Sequence, residues 1–282
     1  MLEHKENLFE GWSQVFSVKE VVFKKKTEHQ ELVIFDSTTF GRVMALDGVI
    51  QTTEQDEFVY HEMLAHVPIL AHGGVRQVLV IGGGDGAMLR EVLKHAGVAE
   101  VTHVEIDRDV IDICERYLPR HSDGAFHDER VKQVIADGVD FVNETPERYD
   151  VIISDSTDPI GPGEALYTRS FYAGCHRCLR EKGILVTQNG SAFMQTDEIV
   201  TTAKRLEPLF EDCAFYGAAV PTYVGGIMAF AWASDETSHR ATSLAVLRQR
   251  FARAELSTRY YTPEIHQAAF TLPRFLVEAI EG

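Results

Sequence analysis

From residue 76 onward the spacing of apolar side chains switches repeatedly between the two-residue repeat of a strand and the helical repeat of about 3.6 residues. Runs rich in Val, Ile and Leu predict strands at 76–81, 100–105, 131–135, 149–154 and 183–188. Amphipathic stretches between and after them predict helices at 86–96, 109–117, 138–144, 168–181 and 195–208. Strands near 212–219 and 227–233 bring the sheet to seven, and helical patterns follow near 241–254 and 273–280. Such alternation predicts an α/β fold whose mostly parallel sheet carries helices on both faces. Ligands on sheets of this kind bind beyond the carboxyl ends of the strands.

Residues 1–53 have another texture. Short β-branched and aromatic runs at 17–23, 31–35, 43–46 and 49–52, with Asp47-Gly48 as a tight turn, predict a small antiparallel β domain ahead of a catalytic domain at 54–282. Lys24-Lys25-Lys26 reads as a solvated hairpin end. Thr53-Glu54-Gln55-Asp56 fits a capping box that opens a helix running to about His66. On that helix His61 and His66 are five residues apart, one too many for a zincin motif, so they point to different faces. Cys213 to Ser234 carries no charge, yet Pro221, Thr222, Gly225 and Gly226 interrupt it, which favours strand, turn and strand over a spanning helix.

The candidate chemistry gathers at the strand ends. Val78-Leu79-Val80-Ile81 leads into Gly82-Gly83-Gly84-Asp85-Gly86-Ala87, a strand, glycine loop and helix start of the nucleotide-binding kind. Asp85 would repel the pyrophosphate that such a loop usually cradles. The nearest part of the ligand is therefore expected to be a cation. Three more acids, Glu105, Asp137 and Asp155, end predicted strands on the same rim, with Asp158 just beyond. Each could simply cap the next helix, but four on one rim point to a ligand. Glu105 stands where a nucleotide fold binds ribose hydroxyls, and Asp137 beside Gly138 suits an adenine amino group.

Charge and cysteines narrow the partners. The 282 residues carry 27 basic and 43 acidic side chains, a formal net charge of −16, which disfavours nucleic acid and anionic membranes and favours cationic ligands. The start Met1-Leu2-Glu3-His4-Lys5-Glu6 has no apolar signal region, and a cytoplasmic location is expected. Cys175 and Cys178 form a C-x-x-C inside a helical pattern with no second pair; with Cys114 and Cys213 they are expected to be free thiols rather than zinc ligands.

A nucleoside with a cationic tail points to S-adenosylmethionine chemistry. The intact molecule also carries a tail carboxylate that Asp85 would repel, whereas its decarboxylated form keeps the sulfonium and ammonium and lacks the carboxylate. Asp85 then becomes a charge-assisted partner.

At these residues the chain resembles bacterial spermidine synthases, the polyamine aminopropyltransferases, over nearly its full length. The resemblance rests on residues 41–53, on Asp56-Glu57-Phe58-Val59-Tyr60-His61-Glu62-Met63, on the glycine loop and on Val104-Glu105-Ile106-Asp107. Further on, Ser154-Asp155-Ser156-Thr157-Asp158-Pro159-Ile160-Gly161-Pro162 and Val220-Pro221-Thr222-Tyr223-Val224-Gly225-Gly226 extend it. It implies a Rossmann-like, methyltransferase-type fold, and aminopropyl transfer from decarboxylated S-adenosylmethionine, a co-substrate, to putrescine, yielding spermidine and methylthioadenosine. No other cofactor and no metal are implied; a homodimer is. Carried over by position, Gln30, Glu105, Asp137, Gly138 and Pro162 would hold the nucleoside. His61, Asp85, Ser156, Thr157 and Asp158 would hold the amines, and Asp155 would accept the proton. Tyr60, Gln188, Tyr223 and Trp12 match further pocket positions.

The residues themselves agree with that reading. An alkyl amine with a pKa of roughly 10 is mostly protonated near neutrality, so the site must bind a cationic diamine yet free one nitrogen to attack. Asp85 and Asp158 suit the binding, and Asp155 suits the proton transfer. Residues 155–167, with Pro159, Gly161, Pro162 and Gly163, are expected to form a lid over the substrates. Two rivals stay open: a methyltransferase using intact S-adenosylmethionine, which Asp85 opposes, and a non-catalytic polyamine-binding protein, which has no use for Asp155 beside Asp158.

Overall fold

Two sheets organise the chain, and the first is built from hairpins. The computed structural model describes residues 2–159 and 161–282, with the side chain of Pro162 also outside the description. Leu2–Phe9 (β1), Trp12–Lys26 (β2), Glu31–Ser37 (β3), Arg42–Leu46 (β4) and Val49–Thr53 (β5) pair in that order, each antiparallel to the next. The Asp47-Gly48 turn forms with positive φ at both residues, 48° and 83°, as a two-residue hairpin loop requires. Lys24–Lys26 does end a hairpin, with Lys24 paired to Glu31 and Lys25 to Asp109. The apolar pattern misses β1 and the first part of β2. That hairpin offers the chain almost no apolar face, and the one residue of β1 that is buried is a charged one, Glu6.

The second sheet holds Gln77–Gly82 (β6), Glu100–Glu105 (β7), Val131–Ile135 (β8), Tyr149–Asp155 (β9), Leu179–Ser191 (β10), Asp212–Ala219 (β11) and Ile227–Ser234 (β12). Their order is β11-β12-β10-β9-β6-β7-β8, parallel except for the pairs of β12 with its two neighbours. This is the seven-stranded, mostly parallel, Rossmann-like sheet with a small antiparallel β unit ahead of it. The uncharged stretch 213–234 folds as strand, turn and strand, and among the described residues no helix is long and apolar enough to cross a membrane.

The helices are Glu57–His72 (α1), Ala87–Leu93 (α2), Arg108–Tyr117 (α3), Pro119–Ser122 (α4), Gly138–Glu144 (α5), Arg169–Cys178 (α6), Thr196–Leu206 (α7), Leu244–Ala254 (α8), Pro263–Ala269 (α9) and Arg274–Glu281 (α10). One apolar core lies between the sheet and α1, α2 and α8, and another between the sheet and α5, α6, α7 and α10. A third joins the sheets: Leu32, Ile34, Met44 and Leu46 pack on Val110, Ile113, Cys114 and Leu118.

The larger departures from expectation have physical causes. Helix α1 runs through Pro68 to His72 rather than ending near His66, because residues 59–71 are buried throughout and packing outweighs one lost backbone bond. Helix α6 stops at Cys178, where Leu179 pairs with Tyr149 and starts β10. Helix α9 has no apolar stripe to reveal it, although Thr262 caps it from a Thr-Pro start that was legible.

Thr53 accepts from the backbone N–H of Asp56, as in the expected capping box, but the helix opens only at Glu57. Asp56 makes no cap hydrogen bond because its carboxylate is committed elsewhere. One oxygen accepts from Thr53 Oγ1 at 2.6 Å, and the other accepts from the N–H and Oγ1 of Thr222 at 2.8 and 2.7 Å. The start of α1 is thereby fastened to the β11–β12 turn that carries Tyr223. Substituting Asp56→Ala leaves these buried donors unpaired and is expected to cost about 3 kcal/mol of stability in urea unfolding. A loss under about 1 kcal/mol would show that the donors find other partners.

Candidate active site

Strand order reverses between β6 and β9, so their carboxyl ends open a crevice at a topological switch point. Gly82 pairs with Asp155 across it, and the N–H of Gly83 donates to the carbonyl of Asp155 at 2.9 Å. Gly82 has φ +80°, and a Cβ there would collide with that carbonyl. A cavity fills the crevice and extends beneath the N-terminal sheet.

At one end the cavity is lined by Gln30, Met44, Leu46, Gly84, Glu105, Ile106 and Val110. Apolar walls beside one carboxylate suit a flat base and a ribose. Glu105 accepts from the N–H of Asp107 at 2.9 Å, and its burial pushes the carboxyl up to about 7. Asp137 and Gly138 do not line the cavity wall. Asp137 caps α5 instead, accepting from Val139 N at 2.7 Å and Asp140 N at 3.4 Å through one oxygen, while Gly138 lies buried against Ile81 and Leu166. Pro162, expected nearby, falls outside the described side chains.

The other end is acidic. Asp85, Asp155, Asp158 and Glu6 line it together with Tyr60, His61, Ser156, Thr157, Gln188 and Tyr223. Asp85 accepts from Ala87 N at 2.9 Å with one oxygen and presents the other 3.8 Å from His61 Nε2. His61 Nδ1 meets Glu57 at 2.8 Å, and Arg90 grips both oxygens of Glu57 at 3.0 and 2.8 Å. Burial alone would lower the His61 pKa, but Asp85 and Glu57 outweigh it and raise it to about 9. His66, on the opposite face of α1, meets His95 and Glu91 instead.

Asp155 accepts from Tyr60 OH at 2.7 Å. Burial pushes its carboxyl up to about 6, with His61 opposing and Asp85 adding to the rise. Asp158 is raised by burial too and accepts from Gln195 Nε2 at 3.0 Å. The segment from Asp155 is fastened at its far end, where Tyr167 OH donates to Gln188 at 2.5 Å and lies 3.1 Å from the carbonyl of Thr157. Tyr223 donates to the carbonyl of Gln51 at 2.6 Å. Trp12 is half exposed and lines a second, neighbouring cavity beside Tyr223.

Residues 57–243 match the spermine/spermidine synthase domain, and residues 3–54 match the spermidine synthase tetramerisation domain. The chain belongs to the spermidine synthase family. It is 59% identical over 280 residues to polyamine aminopropyltransferase 1 of Pseudomonas aeruginosa, covering 99% of this chain and 98% of that one. It is 58% identical over 275 residues to the polyamine aminopropyltransferase of Serratia proteamaculans, covering 98% and 96%. A spermidine synthase crystallised with the transition state analogue AdoDATO superposes with a TM-score of 0.94 at 34% identity, over 99% of this chain and 95% of that one. The spermidine synthase from Thermotoga maritima gives 0.91 at 33% identity, over 99% and 94%.

Several residues of this family member's cavity escape a reading of sequence. Glu6 sits in the charged run His4-Lys5-Glu6 that reads as surface, yet it is buried and accepts from Ile50 N and Gln14. Gln195 and Gln51 carry no signal. Glu57 and His61 do, since a Glu and a His four apart on a helix are neighbours. The Tyr60 bond favours the charged form of Asp155, so Tyr60→Phe is expected to raise that carboxyl's proton affinity about tenfold. A ¹³C NMR titration of labelled aspartates checks it, and a midpoint still near 6 would show that Tyr60 is not a donor to Asp155.

Proposed function

We propose that this chain is a spermidine synthase that transfers an aminopropyl group from decarboxylated S-adenosylmethionine to putrescine. The observation that carries the reading is one cavity with a carboxylate in its glycine loop, Asp85, facing a second on the adjoining strand end, Asp155. The family membership, the names of the relatives and the analogue-bound neighbour support it.

In this reading Glu105 and Gln30 hold the ribose end of the donor. Asp137, whose cap bonds use a single oxygen, is assigned with Gly138 and Pro162 to the adenine end. Asp85 and His61 take the donor's ammonium. Asp158, Gln188, Tyr223, Ser156 and Thr157 take the diamine, with Glu6 adding charge at the far wall and Trp12 beyond Tyr223. Asp155 takes a proton from the attacking nitrogen as that nitrogen bonds to the carbon beside sulfur. The C–S bond breaks, its electron pair stays on sulfur, and methylthioadenosine leaves as a neutral thioether. Because sulfonium is already a good leaving group, the reaction requires no metal. Positioning the two substrates in line is the largest contribution, of about 7–11 kcal/mol for well-oriented groups.

The reading includes the division into residues 1–53 and 54–282, supported by the end of β5 at Thr53. It also includes self-association, with a homodimer as the smallest assembly, supported by the tetramerisation-domain match and by exposed Leu2, Val15 and Val21 on β1 and β2. Four free cysteines support a reducing cytoplasm.

Incubation with each sulfonium donor and a panel of diamines, with products identified by mass, tests the whole reading. Spermidine and methylthioadenosine are expected, and methylated product from intact S-adenosylmethionine would replace the reading with the methyltransferase. Asp85→Asn should narrow the preference for the decarboxylated donor by at least tenfold, or about 1.4 kcal/mol, in calorimetry. Asp155→Asn should lower kcat by about 10²–10⁴. Its deficit should shrink as pH rises, since more amine arrives neutral, and wild-type kcat/KM should fall as pH drops through about 6, where Asp155 takes up a proton. Asp158→Asn should act mainly on KM for putrescine. If Asp158→Asn instead loses kcat while Asp155→Asn keeps it, the two roles are reversed.

A further inference from the structure

His61 stands between two carboxylates in a site that must accept another cation. Its Nδ1 is 2.8 Å from Glu57, and its Nε2 faces the cavity 3.8 Å from the free oxygen of Asp85. With both nitrogens protonated the imidazolium neutralises Asp85 in the empty site. A donor bringing a sulfonium and an ammonium competes for the same oxygen. Two cations beside one carboxylate, both largely out of water, repel strongly. Nε2 has a second state available, because without its proton it becomes an acceptor pointing at the place the ammonium takes.

Glu57 decides which nitrogen gives up the proton. Arg90 holds its two oxygens at 3.0 and 2.8 Å and is itself tied to Glu91 at 2.8 Å. So fixed, the Glu57 carboxylate keeps the hydrogen on Nδ1 and leaves Nε2 as the labile one. We propose that Glu57, clamped by Arg90, makes His61 a proton-exchanging partner of Asp85: imidazolium in the empty site, neutral with its hydrogen on Nδ1 once a cationic donor binds, so that binding expels one proton to solvent. Glu57 acts through His61 and is a positioning residue, and the inference rests on the aminopropyltransfer reading for the identity of the donor.

The groups facing His61 agree in sign. Asp85 from the glycine loop, Asp155 from β9 and Glu57 from its own helix favour the charged ring, which opposes burial and holds it near 9. Burial would raise the Glu57 carboxyl, but His61 and Arg90 outweigh it and bring it down to about 2, so it stays ionised. His121, on α4, is held below its ordinary value by burial and lends no positive charge; its Nε2 meets Thr52 at 2.9 Å. Arg90 and Tyr60 complete the shell, the Tyr60 hydroxyl being turned to Asp155. Glu105 and Asp155 titrate near 7 and 6, so at pH 8 both are largely ionised while His61 is still charged.

Calorimetry of decarboxylated S-adenosylmethionine binding at pH 8, in two buffers of different ionisation enthalpy, counts the protons. About 0.9 proton released per donor is expected, the charged fraction of a group titrating near 9. Methylthioadenosine, which has neither cation, should release fewer than about 0.2. In Glu57→Gln the ring starts neutral, so donor binding should persist with release reduced at least fourfold. Should that variant fold poorly, ¹⁵N-histidine NMR of the wild-type enzyme replaces it: His61 should change from imidazolium to the Nδ1–H tautomer on adding donor. Donor binding without release, equal release with methylthioadenosine, or an imidazolium that persists in the complex would overturn the inference. Failure of the donor to bind or react would instead strike the proposed function.

Discussion

The carbonyl of Asp155 pressed against the Gly82 backbone is the contact on which the rest depends. It exists because the sheet reverses its order there, so two parallel strands end side by side while the helices that follow them part to opposite faces. A side chain at Gly82 would push the strand ends apart. Its absence brings the glycine loop, with Asp85, close to the aspartate that ends β9. Two carboxylates that electrostatics would separate are thus held in one cavity by backbone geometry, and the energy comes from the apolar cores on both sheet faces.

Holding acids together out of water has a cost, and the local chemistry shows how it is met. Asp155 and Glu105 are lifted toward neutrality by burial. Glu57 goes the other way because Arg90 and His61 press on it. Similar groups buried to similar degrees therefore differ by several powers of ten in proton affinity. A carboxylate poised to take up a proton at the acidic end, as Asp155 is, suits transfer, and one locked as an anion, as Glu57 is, suits positioning. Cationic substrates complete the balance, which gives the negative wall selectivity for amines.

The N-terminal sheet closes the acidic end through polar links rather than apolar contact. Asp56 binds Thr222, Gln14 Nε2 donates to the carbonyl of Thr222 and to Glu6, and Glu6 accepts from Ile50 N. This line runs from the start of α1 through the β11–β12 turn into β1, β2 and β5. It places Tyr223 and Glu6 on the cavity wall, so the small β unit helps to build the site as well as to cover it.

By itself the sequence determined the alternation of strands and helices, the glycine loop and the rim acids Asp85, Glu105 and Asp155, because these depend on local periodicity and on residues next to strand ends. The four-residue spacing of Glu57 and His61 was equally legible, though only the surroundings show what it does. Tertiary structure alone decided the rest. Asp137 could cap a helix or face a ligand, and only the fold shows that the cap occupies one of its two oxygens. Glu6 was one charge among many until β1 folded over the cavity, and α1 passed Pro68 because the core enclosed it. Periodicity reports which face of an element is apolar. What a polar side chain does when buried depends on partners brought from far along the chain: 166 residues separate Asp56 from Thr222, and 208 separate Gln14 from it.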